Sequence, residues 1–211
     1  MRWVIGYGSL VCEDSARKTV PGLENFQLCE LPGYIRVFGK VHPKCIRLGR
    51  VEPYDQEIAA LAIRPRKSSR PLTVSAFQIP EAFFKELDKR ECDYSKKQVM
   101  VHKSDMSGTL TGTVYVGYDN DKSMFKDQCR TREDVYAHWP DFLKIYSGSI
   151  YRADIYPSPY YLDYVSDAFC KAGKEVYENF LDTTYLADEA TTIRKYLENP
   201  SKVKTYAKAY N

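Results

Sequence analysis

The sequence predicts an α+β fold, and three observations predict it. Short apolar or alternating runs fill the first two-thirds of the 211 residues. Segments with apolar residues at helical spacing fill the last third. The two kinds are segregated along the chain, which argues against a doubly wound sheet. The length fits one domain over residues 1–211, with a strand-rich core over about 1–120 and a helical part over about 130–198.

The elements follow in order. Trp3-Val4-Ile5 is a short apolar run ended by Gly6, as a buried strand would be. Tyr34 to Phe38 alternates, which predicts a half-buried strand. Ile58 to Ile63, Leu72 to Phe77, Gln98 to His102 and Thr109 to Val116 are further strands. Turn signals at Pro32-Gly33, Pro53-Tyr54-Asp55 and Ser107-Gly108 separate them. Pro80-Glu81 opens a helix through Arg90, with Phe84 and Leu87 at helical spacing. Arg132 to Tyr146 reads as a helix that Pro140 kinks or splits. Ser158-Pro159 resembles a cap followed by a first-turn proline, and Tyr161, Val165, Ala168, Ala172, Val176 and Phe180 then form one stripe. Asp188 to Leu197 is a last short helix, and the Lys- and Tyr-rich tail from Asn199 is expected to fray.

Composition narrows the function classes. Hydrophobic residues are 44% and charged residues 28%, as in globular proteins. A net charge of +3 is too small to argue for a nucleic-acid partner, including an RNA read by the Tyr-rich, basic surface. The 18 tyrosines suit half-buried helix faces, with a Tyr-lined pocket as the alternative. Six cysteines form no C-x-x-C pair and three histidines are scattered, so no metal site is expected. No run reaches the ~18 apolar residues of a membrane span. The apolar start is interrupted at Tyr7-Gly8-Ser9 and reads as a strand, not a leader. Reduced thiols and a cytoplasmic location are expected.

The most informative segment is Val4-Ile5-Gly6-Tyr7-Gly8-Ser9-Leu10. Glycines directly after a strand let backbone N–H groups approach a ligand, often an anion. The dinucleotide fingerprint fails here because position 11 is Val. A second landmark is Asp88-Lys89-Arg90-Glu91-Cys92-Asp93-Tyr94, at a helix end and before a strand. A solvated charged surface is its plain reading.

Together the Tyr7-Gly8-Ser9-Leu10 string and the Arg90-Glu91-x-x-Tyr94 pattern resemble gamma-glutamylcyclotransferase-like proteins. Asn179 to Asp188 is similar to the C-terminal helical region of some members. The resemblance implies a small mixed β-barrel surrounded by helices. It implies that Tyr7, Gly8, Ser9 and Leu10 bind the glutamyl part of a small substrate, with Tyr94 as a donor or pocket wall. It implies Glu91 as general acid/base in a reaction without cofactor, which closes a γ-glutamyl group to 5-oxoproline and releases an amine or amino acid. The protein would act as a monomer or homodimer. Residues 40–50 lack the D-H-R-G-like run usual in the glutathione-specific branch, which counts against glutathione itself; γ-glutamyl amino acids, γ-glutamyl amines and glutathione-like peptides are the substrate classes left open. The rival reading is a binding or regulatory protein that keeps the pocket without turnover.

Three other features carry plainer expectations. Arg64 to Arg70 is read as a mobile solvated loop, Cys12 as a small buried residue and His102 as structural.

Overall fold

A computed structural model describes residues 1–67 and 69–199. The tail expected to fray lies, from residue 200 on, outside the described residues, as does Ser68 of the basic run. Strands β1 (Arg2–Gly6), β2 (Glu24–Leu31), β5 (Leu72–Ile79), β6 (Ser95–Lys103) and β7 (Thr109–Val116) form a closed barrel in the order β1-β5-β2-β6-β7. All neighbours are antiparallel except β1 and β7, which close the barrel in parallel through Val4 and Thr113. Closure brings the backbone of Gly112 against Ile5: a Cβ at 112 would lie 2.8 Å from Ile5 Cδ1. A second sheet has the order β4-β3-β8, from β3 (Tyr34–Val41), β4 (Ala59–Pro65) and β8 (Thr184–Leu186). Helices α1 (Glu13–Thr19), α2 (Pro43–Arg47), α3 (Glu81–Arg90), α4 (Asp121–Gln128), α5 (Arg132–Val135), α6 (Pro140–Ile145), α7 (Pro159–Ala172), α8 (Lys174–Thr183) and α9 (Ile193–Leu197) surround them. The α+β class and the mixed barrel with surrounding helices are both present.

Several local expectations are corrected. The strand at Tyr34 is not half-buried. From Ile35 to Val41 it is fully enclosed, with Arg36 buried and Lys40 2% exposed, because neighbouring groups satisfy both charges. The single stripe from Tyr161 to Phe180 is two helices, broken at Gly173, whose φ of +128° no helix accommodates. Ser158 makes no side-chain cap bond, although Pro159 does open α7. Thr184 to Leu186, within the region expected to be helical, instead pairs in parallel with Arg36 to Phe38. Only Ile193 to Leu197 of the last predicted helix is helical; before it, Asp188 Oδ1 accepts from the Ala190 and Thr191 N–H groups at 2.9 Å and holds a turn. The basic run is not free in solvent. Arg64 and Arg66 both pair with Glu189, at 2.8 and 3.3 Å, and Arg66 also lies over the Tyr185 ring. Pro140 does split residues 132–146, into α5 and α6.

Candidate functional site

The chain leaves β1 at Gly6 and makes a single 3₁₀ turn over Ser9–Val11. Two side chains fix that loop. Ser75 Oγ stands 2.8 Å from the Leu10 carbonyl oxygen and 3.3 Å from that of Gly6, so one hydroxyl bridges both ends of the turn. A Cβ at position 6 would lie 2.6 Å from that same oxygen, which is why glycine is needed there. Arg36 supplies the second anchor. Its Nε donates to the Tyr7 carbonyl at 2.7 Å. Its other nitrogens donate to the Thr183 hydroxyl at 3.0 Å, to Asn179 Oδ1 at 3.4 Å and to the Thr73 carbonyl. This buried cation is held by neutral acceptors and by the Phe169 ring, 4.7 Å from its carbon. Burial lowers its pKa, and the polar cage offsets that cost.

Gly8 differs from Gly6. A Cβ there would meet only ordinary contacts, 3.6 Å from the Tyr161 hydroxyl and 3.7 Å from Leu61. That space belongs to a cavity, not to packed protein. The N–H groups of Ser9 and Leu10, at the head of the turn, have no partner among the described residues.

Helix α3 ends beside this loop. Glu91 caps it, its N–H donating to the Leu87 carbonyl at 2.9 Å. Arg90 forks onto Glu91 Oε1, with Nε at 2.8 Å and the terminal nitrogen at 2.7 Å. Oε2 is left without a partner among the described residues. The Glu91 side chain is 20% exposed, so it is reachable but largely shielded. Tyr94 donates its hydroxyl to the Leu61 carbonyl at 3.0 Å.

A cavity of about 90 Å³ is lined by Tyr7, Gly8, Ser9, Leu10, Glu91 and Tyr94, the six residues the sequence pointed to, together with Tyr161. A larger one of about 350 Å³ shares Ser9, Leu10, Glu91, Tyr94 and Tyr161 with it. Tyrosine thus lines a pocket as well as covering helix faces. Burial first, and then the Glu91 carboxylate, pushes the Tyr7 and Tyr161 phenols above their usual value. Burial, followed by Tyr7 and the Asp93 carboxylate, does the same for Tyr94. All three remain hydrogen-bond donors and none serves as a base near neutral pH.

Sequence reasoning missed the support behind Glu91. Asp93, two residues on, forms a 2.7 Å ion pair with Lys40, and both side chains are only 3% exposed. The Tyr136 hydroxyl donates to Asp93 Oδ2 at 2.9 Å, and that of Tyr151 donates to its carbonyl at 2.6 Å. Lys40 Nζ lies 4.5 Å over the Tyr94 ring. One buried charge therefore steadies both the Glu91 turn and Tyr94. A lysine among apolar strand residues was the available signal.

His42 was passed over as well. Its ring packs against Tyr161 at 4.4 Å, and its buried Nδ1 has no partner among the described residues. Burial, with Lys40, Lys44 and Arg50 adding to it, pushes its pKa down to about 3. An unfolded histidine titrates near ~6.5. Between those values the unfolded chain binds the extra proton, so this contribution is complete above pH ~6.5 and is lost as pH falls toward 3. Urea unfolding between pH 7 and 4 should show stability falling with pH, and His42→Gln should flatten that fall. An unchanged slope in His42→Gln would mean the imidazole does not resist protonation.

Cys92 Sγ lies 3.7 Å from His138 Nε2, a pairing that could suggest a nucleophile. Burial, followed by the Asp93 charge, pushes the thiol up to about 12, the reverse of activation. Among the described residues no group of three His, Cys, Asp or Glu could hold a metal ion, and no helix is long and apolar enough to cross a membrane.

Comparison with known proteins places the fold. No protein-family model matches the sequence, and no curated protein does. Solved structures do match. A gamma-glutamyl cyclotransferase specific to glutathione from yeast aligns with a TM-score of 0.50 at 14% identity, over 81% of this chain and 87% of that one. A second structure of a yeast gamma-glutamyl cyclotransferase specific to glutathione aligns over 92% and 98%, with a TM-score of 0.49 and 14% identity. A structure titled gamma-glutamyl cyclotransferase covers 79% and 98%, with a TM-score of 0.44 and 13% identity. By the first of these likenesses, the fold is of the gamma-glutamylcyclotransferase-like kind.

Proposed function

We propose that this chain, read as one domain, is a cytoplasmic gamma-glutamylcyclotransferase that converts a γ-glutamyl group to 5-oxoproline. The observation that carries the reading is the meeting of the Tyr7–Leu10 loop and Glu91 on one small cavity. The glutamyl α-carboxylate would sit on the Ser9 and Leu10 N–H groups, and the missing side chain of Gly8 leaves it room.

The substrate carries its own nucleophile. Its α-amino nitrogen attacks the γ-carbonyl carbon, a C–N bond forms to close the ring, and the C–N bond to the leaving group breaks. Because both groups belong to one molecule, the site chiefly has to hold a bent conformer. Two protons pass in all from the attacking nitrogen to the leaving one. Glu91 Oε2 would take the first and return it to the leaving nitrogen, the second exchanging with solvent. Arg90 on Oε1 keeps the carboxylate aimed. The protonated phenols of Tyr7, Tyr94 or Tyr161 would donate to the developing oxyanion.

The test is incubation with γ-glutamyl amino acids, a γ-glutamyl amine and glutathione, followed by detection of 5-oxoproline. Release from any of them supports the reading. Binding without release across the whole panel would favour the regulatory alternative.

A further inference from the structure

The larger cavity has a wall that the chemistry at Glu91 does not use. Its outer rim carries Lys44 of α2 and Arg50 just beyond that helix, facing Tyr160 of α7. The Arg50 guanidinium lies 3.9 Å over the Tyr160 ring, so an aromatic face orients it. The inner cations of the same cavity are neutralised, Lys40 by Asp93 and Arg90 by Glu91, each at 2.7 Å. Lys44 and Arg50 are not: among the described residues neither has a carboxylate within ion-pair distance. The lining thus holds four cations against two carboxylates, with His42 neutral, and this leaves two positive charges unmatched. A neutral ligand would leave that field unanswered, whereas a second carboxylate would answer it.

We propose that Lys44 and Arg50 bind a carboxylate on the leaving group, so that the substrates are γ-glutamyl amino acids or peptides and not γ-glutamyl amines. The proposal rests on the cyclotransferase reading of the site. Geometry separates the two carboxylates of such a substrate. The glutamyl one belongs to the small cavity at the Tyr7–Leu10 loop, and the leaving group extends into the larger one toward the rim. Tyr160 lies beside the apolar part of the leaving group. Both cations are exposed and belong to no core cluster, so replacing them should not disturb folding.

The test compares γ-glutamyl-alanine with γ-glutamyl-alaninamide, which differ only in the second carboxylate. A charge-assisted hydrogen bond at this strength corresponds to about tenfold or more in kcat/KM. Wild-type protein should prefer γ-glutamyl-alanine by that factor. In the Lys44→Gln/Arg50→Gln double variant, checked for folding by its melting curve, the ratio should fall to about one, and 0.5 M salt should shrink it in wild type. Equal turnover of both compounds by wild type would overturn the proposal while leaving the cyclotransferase reading intact. So would a preference that survives the double substitution. If neither compound is turned over, calorimetry decides: tighter binding of γ-glutamyl-alanine, lost in the double variant, keeps the carboxylate subsite, and equal or absent binding removes it.

Discussion

Glu91→Gln is expected to lower 5-oxoproline formation by about 10²–10⁴-fold, the usual loss when a general base is removed. Glutamine keeps the side-chain shape and an oxygen that can still accept from Arg90, so the turn at the end of α3 should hold. It cannot take a proton from the attacking amine. Affinity for a γ-glutamyl ligand should survive, because the Tyr7–Leu10 loop is anchored separately by Arg36 and Ser75. Glu86→Gln is the control. Glu86 forms an exposed pair with Lys89 one helical turn earlier, both side chains being 68% exposed, and such pairs contribute little. Turnover retained in Glu91→Gln would remove Glu91 as the base.

The second large effect concerns folding stability. Breaking a buried ion pair from one side leaves an uncompensated charge, which costs about 3–5 kcal/mol. Asp93→Ala would strand the Lys40 ammonium and remove the acceptor of the Tyr136 hydroxyl. In a chain of this size the loss corresponds to roughly 6–20 °C in melting temperature. Lys40→Met should cost a similar amount. The Lys40→Met/Asp93→Leu double variant should lie nearer to wild type than either single, since neither member of the pair is left as an uncompensated charge. Denaturant unfolding of the four proteins measures this cycle. Single variants within about 0.5 kcal/mol of wild type, the level of a surface change, would mean that the pair does not carry the structure. The Lys40→Met variant also tests positioning: Lys40 packs on Tyr94, so kcat should fall more than substrate affinity.

Much of this architecture was legible in the sequence, for definite reasons. Trp3 to Ile5, Leu72 to Phe77 and Thr109 to Val116 announce barrel strands because their apolar runs end at turn residues. Glu81 to Arg90 announces a helix through its proline start and its Phe84 and Leu87 face. Strand β2 was hidden: half of its residues are polar, most are at least partly exposed, and Asn25, at a φ of +52°, accompanies a register shift. The break at Gly173 was hidden because the apolar spacing runs on across it.

At the site, the loop and Glu91 were legible as motifs, and the residues that hold them were not. Arg36 and Lys40 alternate with apolar neighbours, which in a sequence reads as a solvent face. Their burial depends on Asn179, Thr183 and Asp93, partners distant along the chain that only tertiary packing brings into reach. Lys44 and Arg50 likewise gain meaning only when α2, the turn after it and α7 line one cavity.

In the proposed reaction one γ-glutamyl group is held by the Tyr7–Leu10 loop and worked on by Glu91. A crystal structure of Glu91→Gln with γ-glutamyl-alanine tests it most directly. The glutamyl carboxylate is expected within hydrogen-bond distance of the Ser9 and Leu10 N–H groups, with the α-amino nitrogen beside residue 91. A ligand bound outside this cavity, or bound in it with its amino group turned away from residue 91, would contradict it.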